Sequence, residues 1–151
     1  MIPRTITLSL CSNAVPDFIR ILGIDPGARR VGLAVSDPLG FTAQGIDTFD
    51  RRSGDLFARL GELIDELGVT EVVVGHPLSM SGRPSETTRA AERLAREVHE
   101  QFALPVTLWD ERLTSAEARR TLAGQRAPRG AVDRVAAVLI LQGYLDARAA
   151  S

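Results

Sequence analysis

Short apolar runs separated by turn residues occupy the first third of the chain. The run from Phe18 to Asp25 stops at Pro26-Gly27, which is typical of a buried strand followed by a turn. A second apolar run, Val31 to Val35, follows after a short connection, and a third strand is predicted around Gln44 to Phe49. Because the first connection is so short, the first two strands are expected to pair as an antiparallel hairpin.

Beyond residue 50 the apolar period lengthens to that of a helix. Gly68 stands where a helix C-cap belongs. The apolar segment Glu71 to Gly75 is typical of a parallel strand buried on both faces. A helix is predicted from about Ser85 to Phe102, and a last strand from Val106 to Trp109. The residues that share the face of the first helix are Leu56, Leu60, Leu63, Ile64 and Leu67.

The remaining chain is predicted to contain two helices and one loop. Thr114 and Glu117 form a capping box that opens a short helix ending at Ala123. A loop, Gly124 to Gly130, leads to a final helix from about Val132 to Arg148. The order β-β-β-α-β-α-β-α-α predicts an α/β fold, in which helices flank a mixed five-stranded sheet made of an antiparallel hairpin and parallel strands. Functional residues of such sheets lie at the carboxyl ends of the parallel strands.

Three acidic residues fall at that edge. Asp25 ends the first strand, Glu111 follows the last strand, and Asp133 opens the final helix. Converging carboxylates repel one another and raise one another's pKa, whereas Mg²⁺ and Mn²⁺ favour oxygen ligands. Two such ions can activate a water and stabilise the leaving oxygen of a phosphodiester. The pattern therefore indicates a divalent-metal site, with room for two ions, that acts on nucleic acid.

Each acid also has an ordinary structural explanation. Asp25 before Pro26-Gly27 is compatible with a turn aspartate, and Asp133 in the first turn of a helix favours the macrodipole. Asp110 and Glu111 are adjacent and face opposite sides of a strand, so at most one of them points to the site. Spacing alone leaves both explanations open.

Four segments in chain order resemble the YqgF/RuvX family: Gly23–Asp37, Val73–Gly82, Asp110–Ala118 and Val132–Ala137. The resemblance implies a ribonuclease-H-like fold and a metal-dependent nuclease, assigned to maturation of the 5′ end of pre-16S ribosomal RNA. Some members have instead been named Holliday-junction resolvases. The resemblance assigns the catalytic, metal-binding acids to Asp25, Glu111 and Asp133.

Basic residues adjoin these segments. Arg112, Arg126 and Arg129 are candidates for binding substrate phosphates, since a positive stretch beside an acidic pocket fits a phosphate track. His76, where relatives often carry Leu or Asn, is a candidate for a phosphate contact or for proton transfer; the alternative is a partly exposed loop histidine. Asp37 is interpreted as a turn residue, because the hairpin places it roughly 20 Å from Asp25.

Composition narrows the class of protein. With 151 residues and 44% hydrophobic content, the chain is expected to form one domain, residues 18–151, preceded by an N-terminal extension, residues 1–17. The basic side chains, 18 in number, are all arginine, which either phosphate recognition or coding bias explains. Cys11 is the only cysteine, so an intramolecular disulfide and a four-cysteine zinc site are excluded. Since no apolar run is long enough to cross a bilayer, a cytoplasmic protein without membrane contact is expected.

Three functions stay open. An RNA-processing nuclease is preferred. A resolvase of four-way DNA junctions shares the fold and the ions but needs a dimer, so a homodimer stays open as well. The third function is a non-catalytic RNA-binding factor of ribosome maturation. An actin-like ATPase is excluded by length because that fold needs two such lobes. The sequence also leaves open whether the substrate is RNA or DNA, whether the cleavage is endo- or exonucleolytic, and which metal is used in the cell.

Overall fold

A computed structural model describes residues 19–77, 83, 85–111 and 131–150, and it describes the side chains of the last range only from residue 135. The helix predicted from Thr114 to Ala123 and the loop from Gly124 to Gly130 lie outside these residues, as does the extension of residues 1–17. The strands are β1 (Ile21–Asp25), β2 (Arg30–Ser36), β3 (Ala43–Asp50), β4 (Glu71–His76) and β5 (Val106–Asp110). The helices are α1 (Leu56–Leu67), α2 (Glu86–Phe102) and α3 (Ala131–Ala149), and a 3₁₀ turn, Arg51–Ser53, joins β3 to α1.

The strands form one five-stranded sheet in the order β3-β2-β1-β4-β5. β1 pairs antiparallel with β2, and β2 antiparallel with β3. β1 and β5 both pair parallel with β4. The predicted mixed sheet, with its hairpin and its parallel strands, is confirmed.

Alternate residues of the central strands enter two separate cores. Leu22 and Ile24 of β1 pack with α1 and α2 on one face of the sheet. Ile21 belongs to the core that α3 forms on the other face, together with Val73 of β4. Since neighbouring strand residues point to opposite faces, Gly23 and Asp25 share the face of Ile21. This parity decides which helix each functional residue meets.

The ends of the helices follow from local side chains. Asp55 caps α1 by accepting a hydrogen bond from Phe57 N at 3.0 Å, and Gly68 ends that helix with φ of 66°, as predicted. Ser85 caps α2 by accepting from Thr88 N at 3.2 Å. β1 begins at Ile21, three residues later than predicted, because the ladder to β2 is interrupted there: Ile21 N donates to the Ser36 hydroxyl at 2.8 Å, and the Ser36 carbonyl accepts from Arg20 Nε at 2.9 Å.

α3 runs antiparallel to β1 and β4, and this orientation positions the site. Its residue Tyr144 donates a hydrogen bond to Glu71 at the start of β4, while Ile140, one turn earlier, lies over Gly75 near the end of that strand. The amino-terminal turns of α3 therefore extend toward the carboxyl ends of the parallel strands. Among the described helices, none is both long and apolar enough to span a membrane.

Candidate functional site at the carboxyl edge of the sheet

Asp25 is the last residue of β1 and is half-buried on the α3 face. The chain turns sharply after it, at Pro26-Gly27. A Cβ atom on Gly27 would lie 2.1 Å from Arg30 O, so only glycine fits where the turn closes onto β2. The position of Asp25 at the edge thus rests on a turn that this sequence builds with one obligatory glycine.

Glu111 follows β5 and turns its carboxylate over β4. A Cβ built on Gly75 would lie 3.0 Å from Glu111 Oε2 and 2.7 Å from Ile140 Cδ1, so the carboxylate occupies the space that the missing side chain leaves. Ile140 belongs to the α3 core. Of the adjacent acids Asp110 and Glu111, it is Glu111 that lies on the α3 face.

The register of the sheet brings Glu111 and Asp25 together. Ile24 pairs with Val74 in the parallel ladder of β1 and β4, so the next residues, Asp25 and Gly75, are neighbours across the two strands. Neighbouring strands lie about 4.8 Å apart. The Glu111 carboxylate, which covers Gly75, therefore lies on the same face as Asp25 and directly beside it.

The third predicted acid, Asp133, belongs to the first turn of α3, and its side chain lies outside the described part of the molecule. Ala137 O is 3.5 Å from where a Cβ on Gly23 would be. From Ala137 back to residue 133 the helix rises about 6 Å, and from Gly23 to Asp25 the strand rises about 6.6 Å. The backbone of residue 133 thus reaches about the same height along the sheet as Asp25.

Among the described side chains, the carboxylates that meet at this edge of the sheet are those of Asp25 and Glu111. Within those side chains, which do not include that of Asp133, no group of three or more His, Cys, Asp or Glu lies close enough to hold a metal ion. Asp25 and Glu111 each have a further interaction within the molecule, so neither residue is without a partner. Carboxylate oxygens of this kind suit a hard divalent cation.

His76 ends β4 and faces the opposite side of the sheet. Its Nε2 lies 2.9 Å from Glu92 Oε2 on α2, and the imidazole is largely buried. Next to it in the ladder is Asp110. The partner Glu92 was not predicted, because the contact depends on how α2 packs. A role of His76 in substrate binding stays a prediction.

Asp37 forms the predicted turn between β2 and β3. Its carboxylate accepts hydrogen bonds from Phe41 N at 2.6 Å, Thr42 N at 2.7 Å and Leu39 N at 3.2 Å. The backbone N–H groups, that of Thr42 foremost, hold the pKa of Asp37 below its ordinary value of 3.8. Asp37 lies at the opposite end of the hairpin from Asp25, as predicted.

The predicted phosphate-binding residues Arg112, Arg126 and Arg129 lie outside the described residues and stay predictions. A second group of arginines was missed in the sequence: Arg29, Arg30, Arg51 and Arg52. One pair stands at the start of β2 and the other directly after β3, so both lie at the open end of the β2–β3 hairpin. An antiparallel hairpin brings the start of its first strand and the end of its second strand together. The two Arg-Arg pairs that flank these strands in the sequence could therefore have predicted the cluster.

Residues 19–147 match the model of a protein family described as RuvX, Holliday junction resolvase. The chain belongs to the RuvX family. A relative from Koribacter versatilis is 50% identical over 135 residues, covering 85% of this chain and 88% of its own length. One from Geobacillus kaustophilus is 44% identical over 137 residues, covering 86% of this chain and 99% of its own length. Both carry the name "Putative pre-16S rRNA nuclease".

Solved structures identify the fold as ribonuclease-H-like, of the RuvC type. RuvC from Thermus thermophilus, solved with a Holliday junction substrate, superposes with a TM-score of 0.62 at 18% identity, over 88% of this chain and 97% of that one. The yeast mitochondrial Holliday junction resolvase superposes with a TM-score of 0.53 at 13% identity, over 97% of this chain and 85% of that one. At these identities the likeness shows the fold alone.

Proposed function

We propose that this RuvX-family chain is a divalent-metal-dependent nuclease that hydrolyses phosphodiester bonds of RNA. Its proposed cellular role is maturation of the 5′ end of pre-16S ribosomal RNA in the cytoplasm. The observation that carries the proposal is the position of the Glu111 carboxylate, which lies over Gly75 and beside Asp25 at the carboxyl edge of the parallel strands. RNA as the substrate is supported by the names of the Koribacter and Geobacillus relatives.

The choice of metal follows from the donor set. Asp25 and Glu111 offer carboxylate oxygens from neighbouring positions, and Asp133 is proposed as the third ligand. Residue 133 shares the α-helical stripe of Ala137 and Ile140, both of which pack in the core below the sheet. Mg²⁺ and Mn²⁺ favour oxygen ligands and keep several waters, so an open edge suits them better than an enclosed cage.

Each group then has a defined task. Bound divalent ions would activate a water and stabilise the leaving oxygen of the phosphodiester. Asp25, fixed by the turn at Gly27, and Glu111, seated over Gly75, would hold the ions from two neighbouring positions of one face. Three arginines beyond Glu111 in the chain are proposed to bind the phosphates of the substrate strand: Arg112, Arg126 and Arg129.

Resolution of four-way DNA junctions is the second candidate. It is favoured by the description of the family and by the fold shared with RuvC. A resolvase cuts two strands symmetrically and therefore requires a homodimer. The third candidate, a non-catalytic factor of ribosome maturation, would bind RNA through the same edge without cutting it.

One experiment separates these candidates. Labelled single-stranded RNA carrying the 5′ leader of 16S RNA, duplex RNA and a four-way DNA junction are incubated with the protein in magnesium, manganese or chelator. A Glu111→Gln protein purified in parallel controls for contaminating nucleases. Cleavage of RNA by wild type alone, abolished by chelator, is the expected result. Symmetric cuts in the junction with intact RNA would establish the resolvase, and metal-independent binding without cleavage would establish the binding factor.

A further inference from the structure

Two arginine pairs meet at the base of the β2–β3 hairpin: Arg29 and Arg30 before it, Arg51 and Arg52 after it. In the antiparallel ladder Arg30 pairs with Asp50. Arg51 N donates to Arg29 O at 2.8 Å, and Arg51 Nε donates to Gly27 O at 2.9 Å. We refer to these four residues as the hairpin-base arginines.

The hairpin-base arginines outnumber the acids among them. Arg29, Arg51 and Arg52 are exposed, and Arg30 is half-buried. Asp50 lies 3.7 Å from Arg29 Nε. A hydrogen bond from Arg52 N, together with the charges of three of these arginines, holds the pKa of Asp50 below its ordinary value. Four arginines thus stand beside the one carboxylate of Asp50, so the hairpin base carries an excess of positive charge, although the chain as a whole has a net charge of −1.

This positive region adjoins the candidate site. Arg51 is hydrogen-bonded to Gly27, two residues after Asp25. Beside the turn lies an open cleft of about 430 Å³, with Gly27 and Arg51 on its hairpin side and α2 on the other, where Arg93 stands between Glu86 and Glu97. The excess of positive charge is therefore on the hairpin side. A ligand in this cleft would contact the hairpin base and lie next to the turn that carries Asp25.

We propose that the hairpin-base arginines bind phosphates of the substrate strand that flank the bond to be cut. The inference rests on the proposed nuclease function and extends it, because it adds a phosphate-binding surface on the hairpin side of the acids. Guanidinium groups grip phosphate oxygens with two parallel hydrogen bonds. A nearly neutral protein needs such a local surface to approach a polyanion. Contacts to phosphate fix the register of the strand and are independent of its sequence.

The test is the salt dependence of binding in chelator, which keeps the RNA intact. Fluorescence anisotropy gives the affinity of wild type for a labelled single-stranded RNA over a series of salt concentrations. Each phosphate contact contributes about 0.7 to the slope of log K against log salt for single strands. Arg51→Ala/Arg52→Ala is expected to lower the slope by about 1.4, whereas Arg51→Lys/Arg52→Lys, which keeps both charges, should retain most of it.

A matched pair of single variants guards against misfolding. Arg52→Ala removes an exposed side chain at the hairpin base. Arg96→Ala removes an exposed arginine on α2 that lies beside Thr107 and Leu108 of β5. Thermal melts identify any variant that does not fold. If the double variant does not fold, the comparison of Arg52→Ala with Arg96→Ala tests the proposal. Only Arg52→Ala is expected to lower the slope, by about 0.7.

The outcomes are distinct from those of the cleavage assay. A slope for Arg52→Ala equal to that of wild type, or the absence of RNA binding by wild type, would overturn the proposal even if the protein cleaves RNA. A lowered slope without any cleavage would support the phosphate site and count against the nuclease. An acidic peptide that displaces RNA as effectively, charge for charge, as unlabelled RNA would overturn the proposal in favour of a protein partner.

Discussion

At the scale of single residues, the absence of a side chain at position 75 shapes the site. Gly75 leaves space for the Glu111 carboxylate on β4, while Ile140 closes the other side of that space. The site therefore depends on a residue that contributes no functional group. A motif search that looks for acids and bases misses such a position, because its role appears only when the sheet and α3 are packed together.

Gly75→Ala is expected to displace the Glu111 carboxylate, because the new Cβ would lie 3.0 Å from Oε2. A misplacement of about 1 Å costs on the order of 10²-fold in rate, so metal-dependent cleavage should fall by that order. Ile140 must also shift, and overpacking of this kind costs about 1–3 kcal/mol of stability. Cleavage rates and thermal melts of the purified variant measure both effects. Cleavage at the wild-type rate in a folded Gly75→Ala protein would show that cleavage does not depend on the position of the Glu111 carboxylate over residue 75.

Asp37 provides a test of pH dependence. Backbone hydrogen bonds lower the pKa of Asp37 in the folded protein. The ionised carboxylate therefore stabilises the turn fully at pH values above its ordinary pKa of 3.8. This stabilisation is lost as the pH falls through the lower pKa of the folded state. Asp37→Asn should therefore lower the melting temperature near neutral pH. The difference from wild type should shrink in acid below the folded pKa. A difference that stays constant with pH would show that the charge of Asp37 contributes nothing.

At the scale of elements, local signals predicted most of the fold. α1 carries its apolar face, the Asp55 cap and the Gly68 stop within its own sequence; the apolar face and the end at Gly68 were predicted, whereas the Asp55 cap was not. The start of β1 was not predicted, because it depends on side chains of both strands: the Ser36 hydroxyl takes the Ile21 N–H, and Arg20 takes the Ser36 carbonyl. The same limit applies to the site: Asp25 and Glu111 could be located from strand ends, but the His76–Glu92 pair required the packing of α2.

Gly61 lies inside α1, where glycine weakens a helix. A Cβ at this position would meet Phe102 Cε1 at 3.4 Å, an ordinary van der Waals contact. Gly61→Ala is therefore expected to stabilise the protein by about 0.5–1 kcal/mol, as measured by chemical denaturation. It is also the matched control for Gly75→Ala, since the same substitution far from the carboxyl edge should leave cleavage unchanged. Destabilisation would show that Phe102 cannot accommodate the methyl group.

At the scale of the whole molecule, folding gathers acids from distant parts of the chain. Asp25 and Glu111 become neighbours through the sheet, and Asp133 is expected to join them from α3. Repulsion between these carboxylates is expected to lower the stability of the metal-free protein, and a divalent ion that binds only the native state would restore it. The gain is about 2.7 kcal/mol at a metal concentration of ~100 times Kd.

Manganese should therefore raise the melting temperature of wild type and have little effect on Asp25→Asn. In chelator, Asp25→Asn should be at least as stable as wild type, because it removes one of the repelling charges. Thermal melts of both proteins, with manganese and with chelator, make the comparison. A clearly less stable Asp25→Asn protein in chelator would mean that Asp25 is a structural turn residue and that its charge serves the fold.

The most direct test of the metal-nuclease account is cleavage of RNA by Asp25→Asn beside a charge-matched control. Asp65→Asn makes the same change on the exposed surface of α1, near the amino-terminal edge of the sheet. Both variants and wild type are assayed on the same labelled RNA with magnesium and with manganese, after circular dichroism has shown that all three are folded. The expected result is cleavage by wild type and Asp65→Asn and none by Asp25→Asn, because an amide keeps the shape of the side chain but not the charge that holds the cation. Undiminished cleavage by folded Asp25→Asn would contradict the account.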